Sequence, residues 1–141
     1  MIADGEQLAA LLPQRPPMVL VHELVSCDAE QTTSRFRVTP ESVLVADGFL
    51  TEAGLLENIA QTAAAGSGYA FEQSGRPTPI GYIAAIKDLT IWQLPPVGTE
   101  LTTQIRLQNQ VMEFSIVRGQ VRAGAVIFAD CEMRIFIKDP A

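Results

Sequence analysis

Residues 51–73 read TEAGLLENIAQTAAAGSGYAFEQ, and this stretch decides the fold. It carries the one long helical pattern in the chain. Thr51 suits an N-cap and Glu52 suits the positive end of the first turn. Gly75 and Pro77 stop the pattern. At about 100° per residue, Leu55, Leu56, Ile59, Thr62, Ala63, Gly66 and Ala70 share one arc. Glu57 and Gln61 lie on the opposite arc with Asn58 at its edge, and Gly54, Ala64, Ala65 and Gly68 surround that polar pair. No lysine or arginine occurs between Arg37 and Arg76. A solvent-facing helix of this length normally carries some, so the helix is predicted to be buried on nearly all sides.

Outward from the helix, the pattern changes. Glu6 to Leu12 is a short helical pattern stopped by Pro13, and Pro13, Pro16 and Pro17 form a stiff elbow. Met18–Ser26 reads as a nearly continuous apolar strand, covered on both faces. Thr32–Val38 alternates Arg35 and Arg37 with Phe36 and Val38, the signature of a half-buried strand. Pro40 to Phe49 shows no period. After the helix, Ile80–Gln93, Leu101–Val111, Met112–Ala123 and Ala125–Lys138 all read with period two. Leu94 to Gly98 is a turn, Ala123-Gly124 a hairpin tip, and Gly119 a bulge or a close approach.

Two strands, one buried helix and four consecutive antiparallel strands predict an α+β chain in which a curved sheet wraps the helix. That is the hotdog fold, formed here by one domain over residues 1–141. Cystatin-like and NTF2-like cones are the alternative, but they place amphipathic helices before the sheet, and here strands come first. One such sheet leaves an edge open, and two protomers side by side remove it, so a homo-oligomer, dimer at least, is expected. The composition agrees: charged residues make up only 18%, against about 25% in an average soluble domain, as expected of a chain that hides surface in an oligomer or meets an apolar ligand.

Composition also excludes function classes. The net charge is −6 and the ten basic residues are scattered, whereas a nucleic-acid footprint needs a basic stripe. No run of about 18 apolar residues is present, so no membrane span is expected. The acidic Met1–Glu6 stretch lacks a hydrophobic region, so no signal peptide is expected either, and the location predicted is cytoplasmic. Cys27 and Cys131 lack CxxC spacing and read as reduced thiols, with a single disulfide left open. One histidine excludes a multi-histidine metal site, and the reading calls for no metal or cofactor.

Three blocks carry a family resemblance. Leu11-Leu12-Pro13-Gln14-Arg15-Pro16-Pro17-Met18-Val19-Leu20-Val21-His22 resembles the L-P-H-R-x-P-[FM]-L-L-[VI]-D opening of beta-hydroxyacyl-acyl-carrier-protein dehydratases. Residues 54–64, with Glu57, Ala60 and Gln61, resemble their central-helix signature E-x-x-A-Q-x-A. Leu94-Pro95-Pro96-Val97-Gly98-Thr99-Glu100-Leu101 is similar to their P-V-x-P-G-D-x-L turn. The departures are equally specific. The family's G-H-F-P-G loop, with its catalytic histidine, is replaced by the shorter Val45-Ala46-Asp47-Gly48-Phe49-Leu50-Thr51. Gln14 stands in place of a family histidine, and His22 in place of an aspartate. This pattern looks more like the divergent dehydratase-like proteins of aryl-polyene pathways.

The resemblance implies a substrate: the acyl thioester of an acyl carrier protein or coenzyme A, in fatty-acid or polyene-type synthesis. It also implies a reaction, dehydration of the 3-hydroxyacyl group, and it carries over Glu57 as the catalytic-position residue and Gln61 as a helix signature residue. Such a reaction needs a base for the proton beside the carbonyl, an acid for the departing hydroxyl, and stabilisation of the enolate-like oxygen. Glu57 suits the acid or a group that holds the hydroxyl, or is a buried glutamate that bonds across a dimer interface or to backbone groups. Backbone amides near Thr51–Leu55 suit the oxygen, with Gly54 letting the thioester approach. His22 is either a satisfied core or interface histidine or a replacement base, and Asp47 is either a turn residue or a polar group contributed across the dimer. Gln61 reads as a partner that holds neighbouring loops. Three functions stay open on these residues: a dehydratase or hydratase, a thioesterase using one helix carboxylate, and a non-catalytic acyl-thioester-binding or scaffold protein.

Overall fold

In the computed structural model, which describes residues 1–138, a seven-stranded antiparallel sheet curves around one helix. Strand β1 is Ala3–Asp4, followed by helix α1 (Gly5–Ala9), β2 (Glu23–Cys27) and β3 (Gln31–Arg37). The short β4 (Val45–Ala46) and β5 (Phe49–Leu50) precede helix α2 (Glu52–Gln73). Then come β6 (Ile80–Ile91), β7 (Glu100–Val111), β8 (Phe114–Ala123) and β9 (Val126–Lys138). The sheet order is β1-β2-β3-β7-β8-β9-β6. This is the hotdog arrangement. No helix is long and apolar enough to cross a membrane among the described residues.

Helix α2 starts where its cap requires. Thr51 is extended and its Oγ1 accepts from the Gly54 N–H at 3.2 Å. Leu55 and Ile59 are fully buried in one cluster with Phe36, Leu101, Val121 and Met133 from the sheet and Leu50 from β5. Each such side chain contributes roughly 1.5–3 kcal/mol by leaving water. Helix and sheet come close at Gly119, where a Cβ would lie 2.5 Å from Ile59 Cγ2. Gly119 is therefore a close approach. At the other end, Gly68 faces the Leu11 carbonyl so tightly that any side chain would collide with backbone.

Three expectations need correction. The strand expected at Met18–Ser26 begins only at Glu23. Residues 18–21 run outside the ladder, which the His22 N–H reaches through the Arg35 carbonyl of β3, so the buried backbone groups before His22 need other partners. The helix is not buried on nearly all sides: Leu56, Glu57, Ala60, Ala63, Ala64 and Ser67 are half-buried, and Ala70 is exposed. Asn58 and Gln61 have no exposed surface at all. The segment expected to be irregular, Pro40 to Phe49, contains the small β4–β5 hairpin.

The edge strand β6 differs from its neighbours. It pairs only with β9 and leaves its other side open. Tyr82 is 55% exposed, and Ile80, Ile83, Ile86 and Leu89 are exposed along the same strand, with Trp92 just beyond it. A long apolar edge with unpaired amides and carbonyls is a template for another strand.

Candidate functional site

The polar centre of the chain forms where α2 passes the strandless segment 18–22. Leu20 N–H donates to Gln61 Oε1 at 2.7 Å, and Asn58 Nδ2 donates to the Leu20 carbonyl at 2.7 Å. Both backbone groups of Leu20 are thus satisfied by two helix amides, one turn apart. Asn58 is itself fixed, because Thr103 Oγ1 donates to its Oδ1 at 2.5 Å. Gln61 Nε2 donates twice at 2.7 Å, to the Met18 carbonyl and to Glu57 Oε2. Every polar atom of the Gln61 amide is engaged, which fixes its orientation and leaves it no free group for a ligand.

Glu57 is the chemically available group of this cluster. One carboxylate oxygen is held by Gln61. The residue lines a cavity of about 110 Å³ together with Gln14, Ala60, Ala64, Gly81 and Ile83. A larger, more open cavity of about 400 Å³ lies further along the helix, against Cys27, Thr32, Phe71 and Ser115. The two share Ala63, Ser67, Ile135 and Ile137 as walls. Small residues on this helix face leave room between helix and sheet. The arrangement can hold an acyl chain alongside one carboxylate, with the carboxylate able to accept or return a proton.

The other residues expected at the site have different surroundings in one chain. Asp47 and Gly48 have φ of 54° and 83° and join β4 to β5, the two left-handed positions of a tight hairpin turn. Asp47 is exposed there and does not line the Glu57 cavity. The His22 ring lies 4.7 Å from the Phe36 ring, and its Nδ1 accepts the Arg37 N–H at 3.0 Å. Burial lowers its pKa despite the opposing charge of Glu23. His22 too lies outside the cavity lining. Gly54 has a packing reason: a Cβ there would collide with the Leu50 side chain. Its N–H is taken by the cap, and the Leu55 N–H bonds the Thr51 carbonyl at 3.0 Å, so neither amide is free for a thioester oxygen.

Two site residues escaped the sequence reading. Asn58 sits three residues before Gln61, a spacing that places two amides side by side on a helix. Gln14 was legible only as a substitution in the opening block. Among the described residues, no cluster of histidine, cysteine, aspartate and glutamate could hold a metal.

The family model for ApeP-like proteins, described as ApeP dehydratase, matches residues 6–141. The chain belongs to this family. It is accordingly an acyl-thioester-handling hotdog protein of dehydratase type. The ApeP-like chain is similar to the structure of the dehydratase heterocomplex ApeI:P from Xenorhabdus doucetiae. The TM-score is 0.84 at 18% identity, over 95% of this chain and 91% of that one. It is also similar to a hypothetical thioesterase with coenzyme A from Streptococcus pneumoniae, at TM-score 0.66, 11% identity, and 83% and 85% coverage. The PaaI protein from the phenylacetic acid degradation operon of E. coli follows, at TM-score 0.63, 13% identity, and 81% coverage of both chains. No curated protein matches the chain.

Proposed function

We propose that the protein dehydrates a 3-hydroxyacyl thioester carried by an acyl carrier protein or coenzyme A, with Glu57 as its acid–base group. The observation that carries this reading is the clamped carboxylate: Glu57 is held by Gln61 at 2.7 Å while lining a partly enclosed, mostly apolar cavity. The Glu57 carboxylate takes the C2 proton. The resulting acid then protonates the C3 hydroxyl, which leaves as water as the C2–C3 double bond forms. One carboxylate can serve both steps when the two substrate groups lie on the same side. Asp47 and His22 then have structural roles, one in the hairpin turn and the other as a neutral imidazole on Phe36. This dispenses with the absent loop histidine.

The working unit in this reading is a homodimer joined through the open edge of β6, which covers Tyr82 and Trp92 and continues the sheet. Acyl thioester pools place it in the cytoplasm.

The test follows enoyl absorbance and free thiol together on 3-hydroxyacyl and enoyl thioesters. Enoyl formation, or its loss in the reverse direction, without thiol supports dehydration. It should fall at least ~100-fold in Glu57→Gln, which keeps an acceptor for Gln61 and so keeps the fold. Thiol release replaces this reading with thioester hydrolysis. Unchanged turnover in Glu57→Gln removes the site assignment, and binding with no turnover leaves a carrier or scaffold role.

A further inference from the structure

We propose that Asn58 is a positioning residue for Glu57: it fixes the segment that fixes Gln61, and so sets where the Glu57 carboxylate stands. The inference rests on the dehydratase reading, in which Glu57 moves the protons, and adds the residue that aims it. Asn58 is fully buried and lines neither cavity, so it acts through other groups. Its hold on Glu57 runs through a chain of hydrogen bonds, each of which sets the direction of the next.

The chain starts on the sheet. Thr103 of β7 is fully buried, and its Oγ1 donates to Asn58 Oδ1 at 2.5 Å. Asn58 Nδ2 is thereby left to donate to the Leu20 carbonyl at 2.7 Å. The Leu20 N–H in turn donates to Gln61 Oε1, and Nε2 of the same amide reaches the Met18 carbonyl and Glu57 Oε2, each at 2.7 Å. An amide side chain carries its acceptor on one side and its donors on the other. A Leu20 N–H in place is therefore what turns a donor toward Glu57. Asn58 has a second anchor: Thr62 Oγ1 donates to its backbone carbonyl at 2.8 Å and meets Ser34 Oγ of β3 at 2.7 Å. Two strands thus hold it, β7 through its side chain and β3 through Thr62.

Leu20 has no ladder to hold it. Residues 18–21 belong to no strand, and Leu20 is fully buried, so its carbonyl depends on Asn58 and its N–H on Gln61. A leucine at position 58 fills similar space and leaves that carbonyl buried and unmet, a state that folded chains rarely keep. Residue 20 then shifts toward water and carries the partner of Gln61 Oε1 with it. Glu57 loses its fixed donor, and its carboxylate turns freely. A proton-transferring group displaced by about 1 Å loses much of its rate. The apolar walls of the cavity, which come from other residues of α2 and from β6 and β9, stay in place and continue to bind the acyl chain.

The experiment separates kcat from KM. Enoyl absorbance is followed on short- and medium-chain 3-hydroxyacyl pantetheine thioesters, with rates taken per folded molecule as measured by circular dichroism. Asn58→Leu should lower kcat at least about tenfold and keep KM within about twofold. A residue needed only for folding would lower the melting midpoint and leave kcat per folded molecule unchanged. Asn58→Asp gives the second measurement and carries the test should Asn58→Leu fail to fold. It keeps the shape of the side chain, and only its protonated form donates to the Leu20 carbonyl. Its kcat relative to wild type should therefore rise as pH falls, and the comparison with wild type cancels the titration of Glu57 itself. Failure of both variants to fold overturns the proposal by making Asn58 a folding residue. An active protein whose variants keep wild-type kcat, lose affinity instead of rate, or show a ratio indifferent to pH also overturns it and leaves Glu57 untouched. Wild-type protein that forms no enoyl product overturns the dehydratase reading and this inference together.

Discussion

Replacing Gln61 with methionine keeps the length and volume of the side chain and removes its hydrogen bonds. The structure shows what is then stranded. The Leu20 N–H loses its acceptor in a fully buried position, and leaving such a donor unmet costs about 1–3 kcal/mol. The Met18 carbonyl loses its donor, but Met18 is exposed and water recovers part of that, so about 1 kcal/mol is assigned. Glu57 loses a charge-assisted bond at a half-buried site, which adds about 1 kcal/mol after solvent screening. Asn58 still holds the Leu20 carbonyl, so the segment stays docked. The expected loss is about 3–5 kcal/mol, a large part of the stability of an ordinary domain. At about 3 °C per kcal/mol, the melting midpoint should fall by about 9–15 °C. Urea denaturation followed by circular dichroism, with an unchanged m-value, measures it. A loss below about 1 kcal/mol would refute the view that Gln61 holds segment 18–22. Gln61→Glu sharpens the test. It keeps the acceptor for Leu20 but loses both donors until protonated, so its deficit should shrink on acidification, because a buried carboxyl beside Glu57 protonates readily.

Other perturbations test the remaining elements. Gly119→Ala pushes a methyl into Ile59 and should cost about 1–3 kcal/mol, read from the same denaturation curves; a neutral result would mean that sheet and helix can separate there freely. Ile86→Lys puts a charge on the open β6 edge and should convert a dimer to a monomer by light scattering, and a dimer that survives it is not joined there. The acid side of the stability profile should depend on His22. Burial lowers its pKa, so the stability it contributes is present above about pH 6.5 and is lost as pH falls through the lowered value. In His22→Phe that part of the slope should vanish between pH 7 and pH 5, and an identical slope would mean the imidazole is free to charge.

Much of the fold was legible because its signals are local. The α2 limits followed from Thr51 and Gly75, and the four late strands from period two. The error at Met18–Ser26 has a physical cause: the apolar run Met18 to Val21 encodes burial, and burial alone does not say whether a neighbouring strand is there to bond. At the site, Glu57 and Gln61 were visible as polar residues on a helix almost free of charge. Asn58 was read only as the edge of the polar arc, because a helical wheel cannot know that segment 18–22 will lie against it. Gly54 was legible as a residue needing close approach, but the approaching group is Leu50.

The sequence by itself determined the element order, the helix that the sheet must wrap, and the shortage of charge that predicts covered surface. These depend on residue periodicity and composition, which are properties of neighbours in the chain. Only the tertiary structure decided which polar groups work together. The amides of Asn58 and Gln61 meet Leu20 about forty residues away. Glu57 and Gln14 line one cavity although a whole strand pair separates them in sequence. Whether a buried polar group is satisfied or idle depends on what the fold brings within about 3 Å of it, and no local pattern encodes that distance.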